Sequence, residues 1–369
     1  MFILGVLFKI NLKVVYFFLK FLPTKKNKVL FISRQSNKPS IDFLILEKEL
    51  RKLKFKTILI TKKIEKGFVN YIKYYFNLYK QMYHLATSKV CIIDSYCIPV
   101  CILNHKKSLI VIQIWHAMAA IKQFGYQTLT KSDGRNEKVA KMMKMHNNYS
   151  YILSGSEAMI GPFSKAFNYP KDSFIINGLP RIDYLLKNRK MLKNKIKNHY
   201  PELKKKKNIL YVPTFRRNSK IKIDELIANI DYKKFNLIIK VHPATKISLN
   251  NKHVFTCSKY SALELLSIAD YVITDYSAIS LEAASLDIPI FLYLYDYDEY
   301  VTNNGLNIDL FKEFDKYASN DIKSIINVIN KEKYNINVVL KFKEKYLDKD
   351  FGNYTKKLVK FIVDKMEWF

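Results

Sequence analysis

Two histidines in this chain stand directly behind apolar runs, His116 after LIVIQIW and His242 in IIKVHP. Near neutral pH an imidazole can take a proton from an attacking hydroxyl or hold a phosphate oxygen. Arg181 in GLPRID, and Arg216 and Arg217 in PTFRR, add planar guanidinium forks that match phosphate oxygens. In ADYVITDYSAISLE an apolar run ends at Thr274 and Asp275, and Tyr276 and Ser277 would open a helix whose free N–H groups attract an anion. Glu282, further along that helix, could accept hydrogen bonds from a ribose diol. Lys122 and Gly125, in AAIKQFG, place a cation and a flexible backbone point near His116, and Asp183 could orient Arg181. The set is equipment for moving a phosphate-bearing group. Each member also has a plainer role. A histidine behind a strand is often structural, an arginine can pair with a carboxylate across a domain boundary, and Asp275 or Ser277 can simply cap a helix.

What must position these residues is a series of short apolar runs: 28–33, 57–61, 90–94, 109–115 and 151–154, then 208–212, 236–241, 271–274 and 288–293. Runs without alternation, separated by helical stretches, read as parallel strands buried on both faces. The fold class expected is α/β: two doubly wound Rossmann-like domains facing a central cleft, with every motif at a strand's carboxyl end. The expected divisions are an amphipathic helix at 1–22, a first domain at 23–190, a second domain at 208–335, and a helical segment at 336–369 packing back on the first. The polar stretch 188–207, with Pro201, reads as the divide.

The chain of 369 residues carries a formal charge of +31, which calls for an anionic partner. The excess is scattered lysine, with no arginine-rich recognition helix, zinc-finger or RNP-like pattern, so the partner expected is not nucleic acid. Cys91, Cys97 and Cys101 fit no zinc spacing and read as core; no metal ligand is assigned. The DYD at Asp296 and Asp298 reads as a loop beside the site, and divalent metal dependence is left open. In MFILGVLFKINLKVVYFFLKFLP, Lys9, Lys13 and Lys20 fall within about 40° of one another on a helix, facing away from a broad apolar surface. That pattern predicts a helix lying in an anionic membrane surface, the alternative being an amphipathic helix packed on the protein's own core.

The order WHA, KQFG, GLPRID, ILYVPTFRR, IIKVHP, ADYVITDYSAISLE and YDYDEY resembles the CDP-glycerol glycerophosphotransferase family, the teichoic-acid primases and polymerases, from roughly residue 109 to 305. The resemblance implies a GT-B-like fold, with the acceptor on the 23–190 domain and the CDP-donor on the 208–335 domain, in a peripheral enzyme on the cytoplasmic face of the membrane. Its reaction would be transfer of a polyol phosphate, from CDP-glycerol or CDP-ribitol, to a lipid-linked or polymeric anionic acceptor, with CMP released and no further cofactor required. By position, His116 would be the general base and His242 a phosphate-binding partner. Arg181, Arg216, Thr274, Asp275, Ser277 and Glu282 would hold the donor. Ala117 and Ala278 depart from the commoner WHG and ITDYSS, and the first departure resembles a ribitol-phosphate or capsule-polymer subgroup. The rival readings are a GT-B glycosyltransferase using a nucleotide sugar, and a basic protein without catalysis.

Overall fold

The computed structural model describes residues 2–216, 221–242, 245 and 253–367, with side chains from 5 to 366 within those ranges. Arg217 and Pro243 lie outside the described residues. Twelve strands form two six-stranded sheets. In the first, β1 (Lys25–Ser33), β2 (Lys56–Thr61), β3 (Ser88–Ile93), β4 (Ile110–Gln113), β5 (Tyr151–Ser154) and β6 (Phe174–Ile176) are arranged β2-β1-β3-β4-β5-β6. In the second, β7 (Lys207–Tyr211), β8 (Phe235–Ile239), β9 (Val254–Phe255), β10 (Tyr271–Thr274), β11 (Ile290–Tyr293) and β12 (Ala318–Ser319) are arranged β12-β11-β10-β7-β8-β9. Every pairing is parallel. The central strands are buried along nearly their whole length, because helices cover both faces and leave no room for an alternating polar row. Chain direction is therefore common within each sheet, and the loops after the strands gather at one end of it.

Helix α1 (Phe2–Leu19) divides its apolar residues between two faces. Leu12 and Tyr16 are fully buried, the Tyr16 hydroxyl meeting His105 Nδ1 at 2.7 Å, while Leu7, Ile10, Val14, Phe17 and Phe18 stay exposed. At about 100° per residue, Lys9, Lys13 and Lys20 run along the border between these faces. Lys9 tucks its ammonium onto the Met142 carbonyl. Asn11, an oddity on an apolar helix, accepts from Tyr75 and Tyr79 of α3 (Phe68–Thr87), which packs alongside. No described helix is long and apolar enough to cross a membrane. All four cysteines are buried and unpaired.

Two helices tie the halves together. The Pro180–His199 helix packs on α2 (Ile41–Lys52) at its start and on the 262–268 segment of the second half further along, burying Leu192 and Ile196. Residues 188–199 are thus helix where the sequence reads as a divide; their polar side chains face water along its outer side. The Tyr354–Glu367 helix returns to pack on α2 and the Pro180–His199 helix. A Cβ at Gly178 would stand 2.1 Å from the Tyr354 ring, so the glycine of GLPRID admits this returning segment.

Candidate active site

The strand ends of both sheets border a cleft of about 710 Å³, lined by Gln35, His116, Lys122 and Asp133 from one side and by Arg216, Lys240, His242, Ser277, Asp296 and Tyr300 from the other. The halves also touch through their loops. Lys122 pairs with Leu306 in an antiparallel bridge, and Asn307 donates to the Ala120 and Lys122 carbonyls.

His116 follows Trp115, whose φ of +55° is a left-handed conformation costly for a bulky residue. Two contacts hold it there. The Trp115 N–H donates to Gln113 Oε1 at 2.9 Å, and its indole stacks on Phe124 at 4.7 Å. The turn delivers His116 Nδ1 to the Asp94 carbonyl oxygen at 3.1 Å, with the Gln35 side-chain amide 3.0 Å from the same nitrogen. The Asp94 carbonyl can only accept, which assigns the proton to Nδ1 and leaves the lone pair on Nε2, with the Gln35 amide turned so that its oxygen faces the same N–H. The ring is exposed on the cleft, with protein crowding it from the sides. Burial first, then the charges of Arg181 and Lys122, lower its pKa to about 4, against the opposing pull of the Asp94 carbonyl. At neutral pH it is an unprotonated base of fixed tautomer.

Lys122 faces the same space. Among the described residues it is in no ion pair, and burial lowers its pKa although Asp275 pulls the other way. His242 lies across the cleft beside the Phe215 ring, 5.3 Å between centroids, its pKa lowered by burial and by Lys63 and Lys122. Ser277 lines the cleft, its Oγ accepting from the Ile279 N–H at 3.4 Å; the helix after it spans Ile279–Ser285, two residues later than the sequence suggests.

Other predicted residues are engaged with protein. Arg181 donates to Asp42 through its backbone N–H and Nε, each at 2.8 Å, and through Nη2, and reaches Glu282 at 3.4 Å. It therefore links α2 of the first half to the helix 279–285 of the second. Burial alone would lower the Arg181 pKa; Asp42 and Glu282 more than reverse that. Glu282 is fully buried, its pKa raised by burial against the pull of Arg181, and it faces that arginine where a ribose contact was expected. Arg216 lies 2.6 Å from Asp296 and 3.0 Å from Asp275, with its guanidinium over Tyr276 and Tyr300. Asp275 also accepts from the Thr214 N–H and hydroxyl. The Thr274 hydroxyl is buried and donates to the Val212 carbonyl at 2.6 Å, which leaves no proton for a phosphate. Asp183 does not orient Arg181: it caps the Tyr354–Glu367 helix by accepting from the N–H groups of Tyr354 and Thr355.

The sequence reading passed over Asp42, Gln35 and Lys240. Gln35 and Lys240 follow strand ends, and Lys240 stands inside the IIKVHP motif, which was the available signal; Asp42 opens α2, where an aspartate is commonplace. Asp296 was placed beside the site; it is the carboxylate that closes on Arg216 and accepts from Tyr276. No cluster of three or more metal-ligating side chains occurs among the described residues.

Two parallel-sheet halves bordering such a cleft give this chain a GT-B-like architecture. The family described as CDP-glycerol:poly(glycerophosphate) glycerophosphotransferase matches residues 14–364, and the chain belongs to it. Its relatives include the teichoic acid ribitol-phosphate primase of Bacillus spizizenii, 27% identical over 92% of this chain and 92% of that protein. The teichoic acid glycerol-phosphate primase of Bacillus subtilis is 29% identical over 95% of each. Among solved structures, the wall teichoic acid polymerase TagF superposes with a TM-score of 0.73 over 93% of this chain and 90% of that one, at 18% identity.

Proposed function

We propose that this enzyme transfers a polyol phosphate from a CDP-activated donor to an acceptor hydroxyl, releasing CMP, in the synthesis of a teichoic-acid-like polymer. The observation that carries the reading is the His116 Nδ1 bond to the Asp94 carbonyl, which leaves Nε2 as a base on the cleft wall. In the reaction, Nε2 takes the acceptor hydroxyl's proton. The acceptor oxygen forms a bond to the phosphorus bearing the polyol, and the bond from that phosphorus to the CMP oxygen breaks. Lys122 and His242, both facing the cleft, are placed to hold the phosphate oxygens as charge moves to CMP. Arg181, Arg216, Asp275 and Glu282 act one step back, holding the strand-end loops that shape the donor site.

The acceptor would be lipid-linked or polymeric, and the enzyme would sit on the cytoplasmic membrane surface. Supporting this are the exposed face of α1, continued by Phe68, Val69 and Phe76 of α3, and the lysine row at its border. The relatives named for ribitol phosphate and for glycerol phosphate are close to each other in identity, so both CDP-polyols belong in the test. With donor labelled in the polyol-side phosphate, label must appear in the acceptor product while CMP accumulates. Label remaining with the nucleotide would make the enzyme a glycosyltransferase.

A further inference from the structure

The loops after β1 and before residue 137 carry two arginines that the donor chemistry does not use. Arg34 and Arg135 both place their guanidinium carbons over the ring of Tyr96, at 5.0 and 5.3 Å from its centroid. Two cations sharing one ring repel each other, and each would ordinarily be answered by a carboxylate. Among the described residues neither forms an ion pair, and Arg34 Nε is buried with no hydrogen-bond partner. A buried donor of this kind is costly unless something fills its valence.

The location narrows what that something is. Arg34 precedes Gln35, whose amide touches His116, and Arg135 is two residues from Asp133; both Gln35 and Asp133 line the cleft. A run of aromatic contacts leads from Tyr96 to His146 at 6.1 Å, from His146 to Trp115 at 5.8 Å, and from Trp115 to His116 at 4.2 Å. The arginine pair therefore lies in the first sheet's loops, joined to the general base by this run of rings. Both residues come from the half opposite the 271–285 segment, and neither lines the cleft where Lys122 and His242 face the donor phosphate, so the anion they answer is a second one.

We propose that Arg34 and Arg135 form an acceptor subsite that grips a phosphate group of the incoming acceptor, a phosphomonoester, phosphodiester or diphosphate, and so presents its hydroxyl to His116. The acceptor's identity rests on the transfer reading above; the existence of the anion site does not. Two guanidinium forks suit this ligand because each can present paired N–H donors to phosphate oxygens while its face stays on Tyr96.

Calorimetry on the full chain, saturated with CMP, would be run with glycerol 3-phosphate in solution and with a polyprenyl diphosphate in phosphatidylcholine vesicles. Wild type should bind at least one probe, and R34Q and R135Q should each weaken it about tenfold or more, the loss expected for a charge-assisted contact. Weakening of the soluble probe assigns the site to any phosphate ester, and weakening confined to the vesicle probe assigns it to a lipid-linked one. Melting temperature and CMP affinity should match wild type. If R34Q does not fold, the exposed R135Q carries the test. Binding by R135Q equal to wild type, or no binding of either probe by wild type, would overturn the proposal. Failure of the transfer reading looks different: neither CDP-polyol yields CMP, while the arginine dependence of anion binding persists.

Discussion

The two walls of the cleft use their charged residues in opposite ways. On the wall behind β4, among the described residues, His116 keeps a free Nε2 and Lys122 is in no ion pair, so both can act on a ligand. On the wall behind β7 and β10, Arg216, Asp275, Asp296 and Thr214 are joined to one another, and their contribution is the shape of the loops. The lesson is that strand-end position alone does not make a charged residue a ligand. What decides is whether a second charged residue, remote in sequence, arrives to meet it.

The contrast is broken most severely at Arg216. Arg216→Ala would strand two buried carboxylates and should lower stability by about 3–5 kcal/mol, read as a shift in the urea midpoint. An unchanged midpoint would mean that the second wall is not framework. Lys122→Ala should do the reverse. Its melting temperature should hold while kcat/KM for the CDP-polyol falls about 10- to 100-fold, the span of one charge-assisted phosphate contact. A large loss of stability with little loss of activity would move Lys122 to the framework side.

The acid limb of kcat/KM sharpens the reading of the first wall. A His116 pKa lowered to about 4 keeps the base form present down to that pH, so the limb should lie well below the ordinary value near 6.5. The linked stability runs the same way. The unfolded chain binds protons that the folded one refuses, so stability falls as pH drops from about 6.5 towards 4. A limb at 6.5 would show an imidazole with ordinary solvation. The smallest effect tests a residue remote from both walls. Ser40→Ala removes the cap on the Phe43 N–H at the start of α2 and should cost about 1 kcal/mol, without altering donor KM.

Much of the fold could be read because the central strands are unbroken apolar runs; 151–154 and 271–274 coincide with β5 and β10 to the residue. The strands that escaped, β6, β9 and β12, are all sheet edges, two or three residues long and only partly buried, and edge strands leave little hydrophobic signal. In the site, His116 and Lys122 were legible because a strand end and a residue type sufficed to find them. The partners of Arg181 were not. Asp42 lies 139 residues away at a helix start, where an aspartate is commonplace, and only the folded chain brings it to the guanidinium.

The central claim is that His116 is the base of a polyol-phosphate transfer, and single-turnover transfer by His116→Ala tests it most directly. With CDP-polyol bound and acceptor present, the chemical step should slow about 10²- to 10⁴-fold while donor affinity stays near wild type. Transfer at the wild-type rate would contradict the account, because another group would then be taking the acceptor proton.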